Sequence, residues 1–225
     1  MRRSSGTSPG RDGGVRVMMG TVSKNQAEAM PDPLRGRHTV RVPRGLVVLV
    51  GPPASGKTSF VRALVACRQI DEDAVVSSDA IRAEFFGDRG CAAPGGEDSD
   101  AADARIFEER DRRIVARLAA GRTAVAESTN VTAPARARLL ALAGRFGATV
   151  TMLRFAPDLE RLLLQQAGRD RSDISAADIR AYAATMARHA GIDQLRSEGA
   201  HAVHDVPGGG EGVTPAEAAA RFLFT

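Results

Sequence analysis

The residues Gly51-Pro52-Pro53-Ala54-Ser55-Gly56-Lys57-Thr58 place two glycines, a lysine and a threonine at the spacing G-x-x-x-x-G-K-T. The apolar run Leu46-Val47-Val48-Leu49-Val50 precedes them, and Phe60, Val61, Leu64 and Val65 come after at helical spacing. Strand, glycine-rich turn and helix in that order suit phosphate, because a phosphate that leaves water needs donors already pointing at it. Loop amides and a helix N-terminus supply them. Gly51 and Gly56 admit backbone angles and close approaches that a Cβ blocks, Lys57 reaches the β- and γ-phosphates, and the Thr58 hydroxyl can ligate Mg²⁺. The nucleotide-binding set expected here is Gly51, Pro53, Ala54, Ser55, Gly56, Lys57, Thr58 and Ser59. Of the 31 lysines and arginines, only Lys24 and Lys57 are lysine. A chain that otherwise takes its positive charge from arginine has placed a compact ammonium at this position.

Three further polar groups fall just beyond apolar segments. Asp79 lies in Ser78-Asp79-Ala80-Ile81-Arg82, Glu127 and Asn130 lie in Glu127-Ser128-Thr129-Asn130, and Arg169 and Arg171 lie in a short polar connection. Phosphoryl transfer needs an acceptor hydroxyl held in line, a base for its proton and cations on the developing charge. Asp79 is the candidate base. Arg82, one helical turn later, can bind an anionic part of the acceptor. Glu127 and Asn130 are candidates for positioning the acceptor, with Glu127 also able to hold Mg²⁺ through water. Arg169 and Arg171 can close over the donor phosphates as a lid. Each has a plainer reading: Asp79 as a first-turn helix cap, Glu127 as a strand-end carboxylate, the two arginines as a solvated loop.

GPPASGKT, VVSSDAIR with its S-D-x-x-R core, GRTAVAESTN and the arginine-bearing segment before a long helix together resemble the P-loop kinase domain of bacterial polynucleotide kinases. They also resemble the broader, zeta-toxin-like group of small AAA-type kinases. The similarity runs from about Gly45 to Val206. It implies ATP and Mg²⁺ as cofactors, with Lys57, Asp79 and Arg169 catalytic. Asp79 would act on the 5′-hydroxyl of a polynucleotide, Arg82 on the acceptor's adjacent phosphate and Arg169 on the donor phosphates. Two positions depart from the family pattern: Glu127 stands where Asp is usual, and Gln165 where a lid arginine is usual, with Arg171 as the nearby replacement. The alternative acceptors are a nucleoside, sugar, nucleotide sugar or antibiotic, and an ATP-dependent switch with no acceptor is a further reading. No guanine-reading N-K-x-D occurs, which favours ATP over GTP.

The elements that must position these groups alternate. His38 to Arg44 reads as a short lead-in strand, then residues 46–50, Ala74 to Ser77, Thr123 to Ala126, Thr149 to Phe155 and Ala202 to Val206 as strands. Helices are expected at Asp79 to Phe86, over 100–119 closed by Gly121, from a Thr132 cap with Pro134 to Gly144, and from Pro157 to Gln166. Ser175 with Asp178 opens another helix, to about His189. Thr214-Pro215-Ala216-Glu217 is a capping box that opens a C-terminal helix through Phe222. Residues 87–99, rich in glycine, read as a functional or mobile loop. The expected class is therefore α/β, a doubly wound parallel sheet of the P-loop NTPase type with a helical lid over about 165–175, its site at the strand C-terminal ends.

Residues 1–37 are rich in Arg, Gly, Ser and Pro without periodicity and are expected to be a disordered basic tail before one kinase domain, 38–225. Residues 1–45 hold nine Lys and Arg against three Asp and Glu, so of the net charge of +4 the rest of the chain carries −2. The high isoelectric point thus belongs to the tail, not to a basic groove. No run of 18 apolar residues and no apolar leader are present, so a membrane partner is not expected and the expected address is the cytoplasm. Cys67 and Cys91 and the four histidines form no ligand set.

Overall fold

The computed structural model describes residues 39–87, 97–156, 158–167, 174–208 and 211–225. Its elements are β1 (Val40–Val42), β2 (Gly45–Val50), α1 (Lys57–Ala66), β3 (Val75–Ser77), α2 (Ser78–Phe86), α3 (Glu97–Ala119), β4 (Ala124–Glu127) and α4 (Ala133–Gly144). They continue with β5 (Thr149–Arg154), α5 (Leu159–Ala167), α6 (Ala176–His189), α7 (Ile192–Ser197), β6 (Ala202–Asp205), α8 (Pro215–Ala219) and β7 (Phe222–Phe224).

Five strands form a parallel sheet in the order β3-β4-β2-β5-β6. The central strand β2 is buried along its whole length, as an unbroken apolar run requires when helices cover both faces. Its alternation decides which side chain meets which layer. Leu46, Val48 and Val50 pack with Ile106, Ile114, Leu118, Leu139 and Met186 from α3, α4 and α6. Val47 and Leu49 pack with Phe60, Val61, Leu64 and Ala218 from α1 and α8. All five strands end on the same side, so the residues after β2, β3 and β4 are neighbours there, with β4 lying between the other two.

The short lead-in strand expected over His38 to Arg44 is formed, at Val40–Val42, whereas the C-terminal helix differs from the sequence expectation. The lead-in segment does not extend β2; before Pro43 it forms β1, which pairs in parallel with β7 and not with the main sheet. The C-terminal helix stops at Ala219 instead of running through Phe222. Phe222, buried, stacks edge-on against Phe60 at 5.5 Å between centroids, and Phe60 does the same with Phe155. Burying that ring against α1 and pairing the backbone with β1 offers more than another helical turn does. Both capping boxes are formed, Ser175 with Asp178 and Thr214 with Glu217. Helix α3 starts at Glu97, inside the segment expected to be loop; residues 88–96 lie outside the described set, as do residues 1–38.

Candidate functional site

The loop between β2 and α1 is shaped by two left-handed residues, Ala54 at φ 63° and Gly56 at φ 92°. Gly51 is glycine for a different reason: a Cβ there would lie 2.8 Å from both the Phe155 Cβ and the Ser55 Oγ. Its N–H donates to the Thr129 carbonyl at 2.9 Å, tying the loop to the segment after β4. Helix α1 opens at Gly56 with no side-chain cap and no acidic residue in its first turn. Its N-terminal N–H groups therefore face no competing carboxylate of their own helix, the condition for receiving an anion.

Lys57 is buried within the loop. It is only 8% exposed, and its Nζ donates to the carbonyls of Gly51 at 2.8 Å and Pro52 at 2.7 Å and to the Ser55 Oγ at 3.4 Å. The ammonium is thus held in place by dipoles of the loop itself.

Thr58 Oγ1 donates to Glu127 Oε1 at 2.6 Å, and Glu127, the last residue of β4, is 8% exposed. Beside it, the hydroxyls of Ser78 and Ser128 are hydrogen-bonded at 2.6 Å, linking the ends of β3 and β4. Sequence reasoning placed Glu127 with the acceptor residues first; the structure brings it to Thr58. The two serines were not singled out, although each is adjacent to a residue that was.

Asp79 lies exposed in the first turn of α2. The cap of that helix is Ser77, whose Oγ accepts from the Ala80 N–H at 3.4 Å, so the reading of Asp79 as the cap is replaced. Arg82 pairs with Asp103 of α3 at 2.5 Å, both side chains half-exposed.

Asn130 does not reach outward to an acceptor. It is 3% exposed, sits at φ 47°, and its amide nitrogen donates to the Leu49 carbonyl at 2.9 Å and more distantly to those of Ala126 and Ser128. The side chain staples the ends of β2 and β4 together, a role invisible until those strands are neighbours. Behind it, Arg136 of α4 is fully buried, donating to the Asn130 carbonyl at 3.0 Å and to the His189 carbonyl and pairing with Glu198 at 2.7 Å. That guanidinium, also overlooked in the sequence, holds the Glu198 carboxyl below the usual carboxylate range.

Arg169 and Arg171 lie outside the described residues. Gln165, on α5, is described. Its side-chain amide lies between the Ala54 carbonyl and Arg161 Nε, and with its nitrogen turned toward the carbonyl it can donate to Ala54 and accept from Arg161. Ala54 also packs with Leu162 and Ile179, so α5 and α6 rest directly on the loop. Next to this contact a cavity of about 300 Å³ opens between Ser55 and Ser59 of the loop region, Phe155 after β5, and Val206 and Pro207 after β6. Among the described residues no group of three or more His, Cys, Asp or Glu gathers to form a metal cage, and no helix is long and apolar enough to cross a membrane.

Solved structures share this architecture. A chain of the Pnkp1/Rnl/Hen1 RNA repair complex aligns with a TM-score of 0.54 at 20% identity, over 71% of this chain and 46% of that one. A gluconokinase from Sinorhizobium meliloti 1021 aligns with a TM-score of 0.51 at 17% identity, over 79% of this chain and 89% of that one. The protein thus spans about half of the RNA repair chain and most of the gluconokinase, and at these identities the likeness is one of fold: a parallel, helix-flanked P-loop sheet. No curated protein matches the sequence closely enough to count as a relative. A family model described as an AAA domain matches residues 46–191, from the central strand through α6, and the chain belongs to that family.

Proposed function

We propose that this protein is an ATP-dependent phosphotransferase that moves the γ-phosphoryl group to a hydroxyl acceptor. The observation that carries the reading is the Thr58 to Glu127 hydrogen bond at the mouth of the phosphate loop, with Asp79 one strand further along the same edge. A module that only binds nucleotide has no need of a carboxylate beyond the metal-binding pair.

In this reading the loop amides and Lys57 hold the donor phosphates. Asp79 takes the proton from the acceptor hydroxyl as its oxygen bonds to the γ-phosphorus, the bond from that phosphorus to the β,γ-bridging oxygen breaks, and ADP leaves. Arg169 and Arg171 are assigned to the donor phosphates. A hydroxyl and a carboxylate oxygen already in contact suit Mg²⁺, a hard cation that takes few protein ligands together with substrate phosphates and water. Thr58 and Glu127 would hold it, directly or through water, and when bound it neutralises phosphate charge.

The acceptor assigned first is the 5′-hydroxyl of a polynucleotide, on the S-D-x-x-R pattern and the fold shared with the RNA repair chain. One observation favours the small-molecule alternative: Arg82, the residue meant to grip the acceptor's phosphate, is already paired with Asp103. The deciding experiment incubates the protein with γ-labelled ATP, Mg²⁺ and a panel of 5′-hydroxyl DNA and RNA, nucleosides, sugars and aminoglycoside-like alcohols. Label on oligonucleotide ends supports the first assignment, label on a small alcohol the second. Label released only as free phosphate overturns the transferase reading in favour of a switch.

A further inference from the structure

A second cavity lies at the opposite end of the sheet from the phosphate loop. It opens where Arg44 leads into β2 and Thr123 into β4, the N-terminal ends of those strands, whereas the loop leaves the C-terminal end of β2. Its volume is about 370 Å³, within the range of small-ligand sites. Four arginines line it: Arg44, Arg68, Arg117 and Arg122. One side-chain carboxylate, Asp71, shares the wall with them, and counting a terminal carboxylate at Thr225 still leaves the guanidiniums in excess.

Arginines commonly gather at helix C-termini, where they offset the dipole and take up carbonyls, and α1 and α3 both end here. Arg117 is committed to the chain in this manner. Only 11% of its side chain is exposed, its Nε donates to the Thr123 carbonyl just beyond α3 at 2.6 Å, and it pairs with Asp73 at 2.7 Å. The other three are not committed. Arg44, Arg68 and Arg122 are exposed, and their guanidiniums make no ion pair or hydrogen bond with a described residue. Arg44, between β1 and β2, belongs to neither helix.

Arg68 also sits at φ 55°, in the left-handed position of the turn that closes α1. In that turn the Arg68 N–H donates to the Val65 carbonyl and the Gln69 N–H to the Leu64 carbonyl, both at 2.9 Å. The position ordinarily takes glycine, and any side chain there is strained. An arginine held under strain, exposed and without a described partner adds nothing to the packing of the fold.

Three unpaired guanidiniums around one pocket suit a group that brings several negative charges and several acceptor oxygens together. A phosphate or pyrophosphate does both, and the planar fork of a guanidinium matches its oxygens. We propose that this cavity is a second anion site, taking the phosphate or pyrophosphate group of a small molecule through Arg44, Arg68 and Arg122, with Arg117 fixed behind them. It does not rest on the phosphotransferase reading, because no residue of the phosphate loop takes part.

Isothermal titration of the full chain with inorganic pyrophosphate tests this. Two classes of site are expected in the parent. Arg68→Gly combined with Arg122→Gln should weaken one class by about tenfold or more and leave the other, while Lys57→Ala should affect only that other. Arg68→Gly relieves the left-handed strain, so its melting temperature should be at or above the parent's. A single class of site that disappears with Lys57→Ala, or a double variant whose isotherm matches the parent's, overturns the proposal. So does a marked drop in the melting temperature of Arg68→Gly, which would make Arg68 a structural residue. Ribose 5-phosphate titrated into Lys57→Ala separates the two sources of the group: tighter binding than pyrophosphate supports an organic phosphate, weaker binding supports free pyrophosphate. A single-stranded oligonucleotide that displaces pyrophosphate from this site, with affinity falling steeply as salt rises, overturns the small-molecule assignment in favour of a nucleic-acid backbone.

Discussion

Thr58 Oγ1 and Glu127 Oε1 lie 2.6 Å apart, joining the residue after the loop lysine to the last residue of the strand beside it. The contact exists because β2 and β4 are paired in register, Val48 opposite Ala126, so that the loop leaving β2 passes the carboxylate at the end of β4. In the proposed phosphotransferase, this is the point at which a cation and a phosphate chain would be held together.

Glu127→Gln tests that point without changing shape. The amide oxygen still accepts the Thr58 hydroxyl, but the charge is gone. The Mg²⁺ concentration needed for half-maximal turnover is expected to rise about tenfold or more, with metal-free nucleotide binding little altered. Superimposable Mg²⁺ titrations would remove Glu127 from the metal site.

Asp79→Asn separates chemistry from helix formation more cleanly than the sequence alone promised, because Ser77 holds the cap. Turnover should fall by ~10²–10⁴ with ATP affinity kept, and stability should change by only a few tenths of a kcal/mol. Ser77→Ala is the converse control, costing about 0.5–1 kcal/mol in a denaturation curve and leaving turnover near the parent's. Near-parent turnover in the Asn variant would sink Asp79 as the base.

Lys57→Ala is expected to lower turnover by at least ~10²-fold. Because Lys57 is buried against the loop carbonyls, the variant should also melt a few degrees lower, a loss of about 1–2 kcal/mol from stranded acceptors. An unchanged rate would rule out the loop as the phosphate site.

Arg136→Met leaves the Glu198 carboxylate with its buried partner removed, and a loss of about 3–5 kcal/mol is expected from urea titration. The pair also has a pH signature. The folded-state pKa of Glu198 is held below its ordinary value by Arg136, so the stability it contributes is present above that ordinary value and is lost as the pH falls through the folded one. The parent's melting temperature should therefore drop more steeply on acidification below about pH 4.5 than that of Glu198→Gln. Parallel curves would mean the pair adds nothing.

Phe222→Ala removes a ring buried against Phe60 and weakens the pairing of β7 with β1. A cost of about 3–5 kcal/mol is expected in the same assay. A small change would show that the C-terminal strand rests on the domain without holding it.

The amino-acid sequence by itself determined the alternation of strands and helices, the parallel class, both capping boxes and the phosphate loop. These rest on information carried within a few residues: a fully apolar run with no polar face, a glycine where a Cβ cannot fit, a hydroxyl three positions before a carboxylate. The same local reasoning placed Lys57, Thr58, Asp79 and Glu127 at strand ends, though not in their relations to one another.

Only the tertiary structure decided those relations. Strand order is a long-range property, and until β4 lies between β2 and β3 nothing in Glu127 points to Thr58, nor in Asn130 to the Leu49 carbonyl that takes its amide inward. Ser77 displaced Asp79 as the cap because α2 begins at Ser78, directly where β3 ends, one residue earlier than the local pattern implied. Arg136 reads as one more arginine in an arginine-rich chain, and its burial becomes visible only when Glu198, far along the sequence, arrives beside it. Phe222-Leu223-Phe224 is too short to declare itself a strand; its conformation is set by a partner strand and by Phe60, both contributed from distant parts of the chain.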